Sequence, residues 1–188
     1  SAASLRSMAL TATMRRFEIE LADSDRGVYE ALDLRVAQHS SESERYLVAR
    51  VLARALEHGE GVGFSRGLSS DDEPAVWQRD LRGDLLAWIE VGAPSPDRLH
   101  KASKSGARVA VYTWRAPEQL ARDLAERAVH RAEEIAIHAL DPALLDAIAA
   151  TLDRNNRWEL SISGGSLYLG AGGQTFEGEL RRLGAFPS

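Results

Sequence analysis

Cysteine is absent from the 188-residue sequence. This absence excludes disulfides, thiolate zinc sites and cysteine nucleophiles, and it fits the reducing cytoplasm, where we expect the protein to be. No apolar run approaches the roughly 20 residues that cross a bilayer, so no membrane association is expected. Residues 1–7 lack the apolar core of a signal peptide. We interpret Met8 as the native start and residues 1–7 as a remnant of expression.

Lysine is almost absent as well, since it occurs only at Lys101 and Lys104. The other basic residues are arginines, and the net charge is −5. A protein that coats nucleic acid without sequence preference needs many Lys or Arg contacts to phosphates, so this charge argues against that class. A local basic groove that binds nucleic acid remains compatible with it.

The composition indicates one folded domain. Hydrophobic residues make up 44% of the chain and charged residues 27%, which is ordinary for a globular protein. No repeat, low-complexity tract or linker divides the sequence. Residues 8–188 are therefore predicted to form a single domain, which we expect to be a monomer.

The first elements follow from local patterns. Phe17–Leu21 and Leu32–Val36 alternate apolar and polar residues around a polar turn, which predicts a hairpin. Ser41–Glu44 carries a capping-box signature before an apolar helical face. A helix is therefore predicted over 42–57, with Gly59 placed to end it.

The middle of the chain predicts a strand–helix–strand unit. Leu85–Val91 is nearly continuously apolar, which is typical of a strand buried on both faces. Ser95 is a good N-cap with Pro96 at the first helical position, so a helix is predicted over 96–105. The segment 107–114 follows as a strand, and the crossover is long enough to be parallel and right-handed.

The remaining segments complete an α/β (α+β) fold of mixed β-sheets flanked by helices. The further predicted elements are strands at 61–65 and 75–80, a helix at 117–131, a strand or helix end at 134–140, a helix at 142–153, and strands at 158–163, 166–169 and 175–180.

Glu90 is the candidate functional residue, because it is a carboxylate at the exit of an otherwise apolar strand. A buried ionised carboxylate is costly unless it is paired or bound to a metal. In open α/β sheets, ligands bind beyond the carboxyl ends of strands, where Glu90 would lie. The alternatives are a surface glutamate or one that forms an ion pair with an arginine.

Strand geometry limits which acids can lie close enough to Glu90 to share a metal ion with it. Asp84 would lie roughly 20 Å away along a straight strand that rises about 3.3 Å per residue. A two-residue turn at Arg82–Gly83 would bring Ala75 opposite Glu90, and Asp72 and Glu73 would become its neighbours. A bulge or a longer turn would restore Asp84 or Asp80 as candidates.

Lys101 completes a possible phosphodiesterase site. Two carboxylates can hold a divalent metal, while a lysine stabilises charge or orients the attacking water. Lys101 lies in the helix after Glu90, one turn after Asp97. The alternative is an exposed ion pair between Lys101 and Asp97.

Several motifs resemble those of the YaeQ family, and the similarity runs from Met8 almost to the C-terminus. The motifs are Phe64-Ser65-Arg66-Gly67-Leu68, Asp71-Asp72-Glu73-Pro74, Trp77 and Trp88-Ile89-Glu90-Val91-Gly92. That family is similar to the PD-(D/E)XK nuclease superfamily, whose core order is helix, three strands, helix, strand. The resemblance implies such a core, with Mg²⁺ as cofactor, Mn²⁺ as its substitute and nucleic acid as substrate.

The resemblance also implies roles for single residues. Glu90 matches the glutamate of the Glu-x-Lys motif, whereas Gly92 stands where the lysine belongs, so Lys101 would be a migrated substitute. The preceding metal-binding acid would be Glu73 or Asp84. Arg66 would be a further site residue, which could bind a phosphate or neutralise the acidic turn beside it. Glu42 or Glu44 would be the acid that the first helix contributes.

Two functions remain open at this point, and the first of them is the leading hypothesis. The first is a Mg²⁺-dependent phosphodiesterase that acts on nucleic acid, with Glu73 or Asp84 and Glu90 holding the metal and Lys101 polarising the reacting group. The second is a non-catalytic binding or regulatory protein that retains the nuclease-like fold. The missing lysine at Gly92 and the net charge of −5 favour the second.

Overall fold

The computed structural model describes residues 12–65 and 72–184 and confirms the mixed α+β class, with two mixed sheets flanked by helices. The strands are β1 Ala12–Asp23, β2 Val28–His39, β3 Val62–Phe64, β4 Val76–Arg79, β5 Leu85–Val91, β6 Arg108–Thr113, β7 Ala136–Ala139, β8 Asn155–Ser163, β9 Ser166–Ala171, β10 Gln174–Glu179 and β11 Arg181–Gly184. The helices are α1 Glu44–Leu56, α2 Pro96–Lys104, α3 Pro117–Glu126 and α4 Pro142–Ala149.

The first sheet has five strands in the order β10-β9-β8-β1-β2. The predicted hairpin is confirmed, since β1 and β2 pair antiparallel with Phe17 opposite Leu34. Alternate residues of these strands are buried, as the sequence alternation requires when one face packs on the core and the other meets water. The two edge strands of this sheet are β10 and β2.

The second sheet has six strands in the order β11-β7-β6-β5-β4-β3. The predicted strand–helix–strand unit is confirmed, because β5 and β6 pair in parallel around α2. Successive side chains of β5 enter two different cores. Ile89 and Val91 join the core shared with α1, α4 and the first sheet, whereas Trp88 packs with residues of α2 and α3. The second sheet is therefore covered by helices on both faces.

Helix α1 begins at Glu44, two residues after its predicted start, with Ser43 as its N-cap. The Ser43 hydroxyl accepts a hydrogen bond from the Tyr46 amide at 3.1 Å, which satisfies one of the free amides of the first turn. All residues from Leu47 to Leu56 are buried, because α1 belongs to the core that both sheets share. The helix thus fixes Tyr46 and Arg50 relative to the ends of the strands.

The helix ends and the last strand differ from the predictions. Helix α3 ends at Glu126 rather than near 131, since Ala128 and Arg131 adopt φ of 50° and cannot continue a helix. A short 3-10 helix and β7 occupy the ambiguous segment 134–140, and α4 ends at Ala149. Strand β11 was not predicted, because four residues without alternation carry little strand signal.

None of the helices in residues 12–65 and 72–184 has the length and apolar character needed to span a bilayer.

Candidate functional site

Glu90 lies on the face of β5 that is covered by α2 and α3, and its side chain is only 7% exposed. Its Oε1 accepts hydrogen bonds from Trp88 Nε1 at 2.6 Å and from Arg98 Nε at 2.7 Å. Charge-assisted bonds of this kind offset the cost of burying an ionised carboxylate. Glu90 is therefore buried and paired with an arginine, which is one of the alternatives that the sequence left open.

Arg98 is the central residue of this site, and the sequence reasoning missed it. Ser95 caps α2 by accepting a hydrogen bond from the Arg98 amide at 3.2 Å, which places Arg98 in the first turn beside the end of β5. Arg98 Nη2 also donates to the Glu73 carbonyl at 2.6 Å, and its guanidinium lies 5.9 Å from the centre of the Trp88 ring. The signal that could have found it is the Ser95 cap itself, since it fixes which residue of α2 faces the strand end.

The register of β4 and β5 brings the acidic segment to Glu90 as predicted. Val76 pairs with Ile89, and Gln78 pairs with Ala87, so the ladder extends towards Ala75 beside Glu90. The turn itself is longer than two residues, because the Asp80 amide donates to the Asp84 carbonyl. A bulge after Gln78 compensates for that length and restores the predicted register at the Glu90 end.

Lys101 pairs with the acidic segment and not with Asp97. Its Nζ donates to Asp72 Oδ1 at 2.6 Å, and both side chains are largely exposed. This hydrogen bond is the main reason why the pKa of Asp72 is lowered. Lys101 follows Arg98 by one turn on α2, so the two cations hold adjacent points of the segment before β4 against the helix.

The other predicted acids take different positions. Glu73 is half-buried and meets Arg98 through its carbonyl oxygen. Asp84 is exposed in the turn that precedes β5, at the opposite end of the strand from Glu90. The predicted phosphate ligand Arg66 lies outside the described residues.

Glu42 forms a second buried ion pair, on the α1 side of the second sheet. Its Oε1 accepts a hydrogen bond from Arg50 Nη2 at 2.9 Å, and both side chains are almost fully buried. Burial raises the pKa of Glu42 and the charge of Arg50 opposes that rise. The structure thus pairs Glu42 with Arg50 and Glu90 with Arg98, and the charges of both pairs act on the phenol of Tyr46. Glu44, the alternative first-helix acid, is exposed and lies 3.8 Å from an arginine of β1.

The phenol of Tyr46 is influenced by the charges of both ion pairs. Burial raises the pKa of its phenol, and the charged groups of both pairs act on it. Its ring also lies beside Gly92. Gly92 has φ of +100°, and a Cβ atom at this position would lie 3.3 Å from Tyr46 Cε2. A lysine at Gly92 would thus carry both backbone strain and a close contact.

As arranged, the donor set does not fit a Mg²⁺ ion. Mg²⁺ prefers carboxylate oxygens and water in an octahedral shell, whereas Glu90 Oε1 already accepts two hydrogen bonds from Trp88 and Arg98. Across residues 12–65 and 72–184, no group of three or more His, Cys, Asp or Glu side chains is placed to hold a metal ion. The arrangement is that of a neutralised carboxylate beside an exposed lysine.

Comparisons with known proteins agree with the resemblance noted in the sequence. The family model described as "YaeQ protein" matches residues 8–180. The "Uncharacterized protein YaeQ" of Escherichia coli (strain K12) is 32% identical over 164 residues, which cover 86% of this chain and 90% of the relative. The relative of the same name from Salmonella typhi is 29% identical over 163 residues, with the same two coverages.

Two crystal structures share the fold. The YaeQ protein from Pseudomonas syringae is 32% identical, with a TM-score of 0.83 over 92% of this chain and 96% of that one. The YaeQ protein from Xanthomonas axonopodis pv. citri is 35% identical, with a TM-score of 0.82 over 93% of this chain and 98% of that one.

Proposed function

This chain belongs to the YaeQ family, and we propose that it is a non-catalytic binding protein that retains a fold of the PD-(D/E)XK nuclease type. The observation that carries this proposal is the ion pair between Glu90 and Arg98. In a nuclease of that type the matching glutamate would hold a metal ion. Here Oε1 of that carboxylate accepts hydrogen bonds from an arginine and a tryptophan instead.

The order of elements supports the nuclease-like core. Helix α1, strands β3, β4 and β5, helix α2 and strand β6 follow one another as helix, three strands, helix, strand. Glu90 lies at the end of the third of these strands, where the superfamily motif would place its glutamate. Fold alone does not determine activity, so the state of the Glu90 site decides between the two functions.

The ion pair between Glu90 and Arg98 favours a binding function over hydrolysis. Removing Arg98 from the carboxylate would leave a buried charge without its partner, which typically costs about 3 to 5 kcal/mol. A metal ion would have to supply at least that free energy before it could bind Glu90. An arginine built into the first turn of α2 is therefore a structural component that competes with any metal.

Nucleic acid is the ligand class that we propose, and α2 is the proposed contact. Both lysines of the chain lie on this helix and are exposed. Exposed ammonium groups contribute to nucleic-acid affinity by releasing counterions from phosphates. A contact of this kind is local, which agrees with a net charge of −5 that excludes coating of the whole molecule.

The test is the affinity of the protein for labelled single- and double-stranded DNA and RNA, measured by fluorescence anisotropy at several salt concentrations in the presence of a chelator. We expect the double variant Lys101→Gln/Lys104→Gln to bind more weakly, with a salt slope smaller by about one per lysine. The matched control is Arg157→Gln, which removes an 89% exposed cation from β8 of the first sheet. Equal affinity of wild type and lysine variant would refute the proposed contact.

A Mg²⁺-dependent phosphodiesterase is the second candidate, and one observation favours it. Lys101, Asp72 and Glu90 lie around the same helix, as the hydrolytic hypothesis requires of a lysine and two acids. Its test is cleavage of nucleic acid in the presence of Mg²⁺ or Mn²⁺.

A further inference from the structure

The edge of the first sheet is a long and regular strand. β2 has 12 residues and ends the strand order, with β1 as its neighbour. Its pairing with β1 continues from Val28 to His39 without a shift in register. In such an edge strand, half of the backbone N–H and C=O groups point away from the sheet.

Within the described part of the chain, little covers this edge. Arg50 donates to the Ala37 carbonyl at 2.8 Å, and no other hydrogen bond from outside the sheet reaches the backbone of residues 29–37. Edge strands are usually protected by lysine, proline or a bulge. β2 contains neither residue, and its ladder has no bulge. The strand is therefore open to another strand.

The outer face of β2 is exposed along its whole length. Ala31, Asp33, Arg35 and Ala37 are exposed, whereas the intervening Leu32, Leu34 and Val36 are buried in the core. Arg35 makes no hydrogen bond or ion pair with any described residue. Asp33 is bound by Arg16 at 2.8 and 2.9 Å, but a carboxylate can accept up to about four hydrogen bonds.

The sequence of β2 is complementary to itself, and we propose that it pairs antiparallel with β2 of a second copy of this chain about a twofold axis at Leu34. In that register Asp33 faces Arg35 of the second copy, and Arg35 faces its Asp33. Leu32 faces Val36, Ala31 faces Ala37, and Glu30 faces Gln38. Opposite charges and matched apolar side chains directly across two strands stabilise a sheet.

The exposed apolar residues beside the edge agree with this pairing. Met14 is 55% exposed and Tyr29 is 63% exposed, and Met14 lies opposite Ala37 in the β1–β2 ladder. The second copy would bring its Ala31 next to Ala37 and cover part of this apolar surface. The result is an isologous dimer with a continuous sheet that takes five strands from each copy.

The opposite edge of the same sheet does not fit a second copy. Strand β10 has six residues, and Glu177 and Glu179 lie on the same exposed face. Antiparallel pairing of β10 with itself would therefore bring carboxylates together, which is unfavourable. Charge complementarity thus selects β2. This dimer goes beyond the proposed function, does not depend on it, and differs from the monomer expected from the sequence.

The test is the mass of the protein in solution, measured by analytical ultracentrifugation at several concentrations. We expect wild type to approach twice the chain mass of 20.5 kDa. Asp33→Arg and Arg35→Asp should each reduce the mass to that of one chain, because each places like charges across the axis. The double variant Asp33→Arg/Arg35→Asp should restore the twofold mass, and Glu177→Lys on β10 should leave it unchanged. Circular dichroism checks that each variant is folded.

A second measurement tests the register directly. Since the chain has no cysteine, the double variant Ala31→Cys/Ala37→Cys carries the only two thiols. They lie roughly 20 Å apart along one strand, too far for a disulfide within one chain. Across the proposed axis they are direct partners, so mild oxidation should convert the chain to a covalent dimer.

Any one of the following results would overturn the proposal. The first is a monomeric wild type at every concentration. The second is a dimer that both single charge reversals leave intact, which would mean that another surface forms it. The third is a double variant that stays monomeric although it is folded, or a cysteine variant that forms no covalent dimer.

Discussion

His138 is a buried histidine that the Glu90 site does not use. It lies on β7, and its ring stacks on that of Tyr112 with centroids 4.5 Å apart. Burial lowers the pKa of His138 to about 4, although the nearby carboxylate of Glu57 acts in the opposite direction. Among the described residues, its Nδ1 atom is buried without a hydrogen-bond partner. The folded protein therefore holds this imidazole in its neutral form.

The stability of the protein should consequently depend on His138 under mildly acidic conditions. The unfolded chain binds a proton near pH 6.5 and the folded chain only near pH 4, so the free energy of unfolding falls as the pH is lowered between these values. The loss should amount to roughly 3 kcal/mol across that window.

The measurement is urea unfolding at a series of pH values for wild type and His138→Gln. The variant should show a smaller decrease between pH 6.5 and pH 4, whatever its stability at neutral pH. His39→Gln changes an exposed histidine and serves as the control. Parallel curves for wild type and His138→Gln would contradict the assignment.

At the level of single residues, the sequence predicted which side chain is unusual but not which partner it has. Glu90 was identified because a carboxylate interrupts an apolar strand. The choice among Arg98, a metal ion and solvent depends on which residue of α2 faces the strand end. The Ser95 cap, which the sequence predicted, fixes where α2 begins, but the placement of α2 against β5 is a property of tertiary packing.

At the level of elements, Gly92 ends β5 and determines what can follow Glu90. Its φ of +100° belongs to a region that residues with a Cβ rarely adopt, and the Tyr46 ring lies close to the position of that atom. The end of the strand is therefore built around a glycine. A side chain at position 92 would meet both the backbone strain and the Tyr46 ring of α1.

Gly92→Ala should lower the free energy of unfolding by about 2 kcal/mol, from backbone strain and the contact with Tyr46. Gly83→Ala is the matched control, because Gly83 has a similar φ of +87° but no atom within 4 Å of the position that a Cβ would take. It should lose only the backbone part, about 1 kcal/mol. Both values come from chemical unfolding. Equal losses in the two variants would show that Tyr46 does not restrict position 92.

Elements with strong local signals were predicted well, and those that depend on distant partners were not. The capping signature at 41–44 gave the start of α1 to within two residues, the Ser95 cap gave the start of α2, and the apolar run gave β5 with both of its ends. The turn at 80–84 is longer than predicted, because Asp80 closes it through hydrogen bonds to backbone amides. The bulge that corrects the register has no signature in the sequence.

At the level of the whole molecule, the layer arrangement gives different arginine partners to two acids that the sequence places in one site. The family resemblance predicted the fold class, and α1 and α2 were expected to serve a single site. The second sheet instead lies between them, so Arg50 neutralises Glu42 on one face and Arg98 neutralises Glu90 on the other. Which face a helix covers depends on the sheet order, and local patterns do not contain that information.

Both ion pairs lead to the same expectation for the molecule. Glu42 and Glu90 are each paired with an arginine, and Lys101 on α2 is paired with Asp72. The proposed binding function rests on these ion pairs.

The most direct test is incubation of the purified protein with Mg²⁺ or Mn²⁺ and a panel of single- and double-stranded DNA and RNA, together with Glu90→Gln and Lys101→Ala prepared identically. We predict no metal-dependent cleavage by wild type above the level of the two variants. Cleavage by wild type that is lost in both variants would contradict the binding function and establish a nuclease.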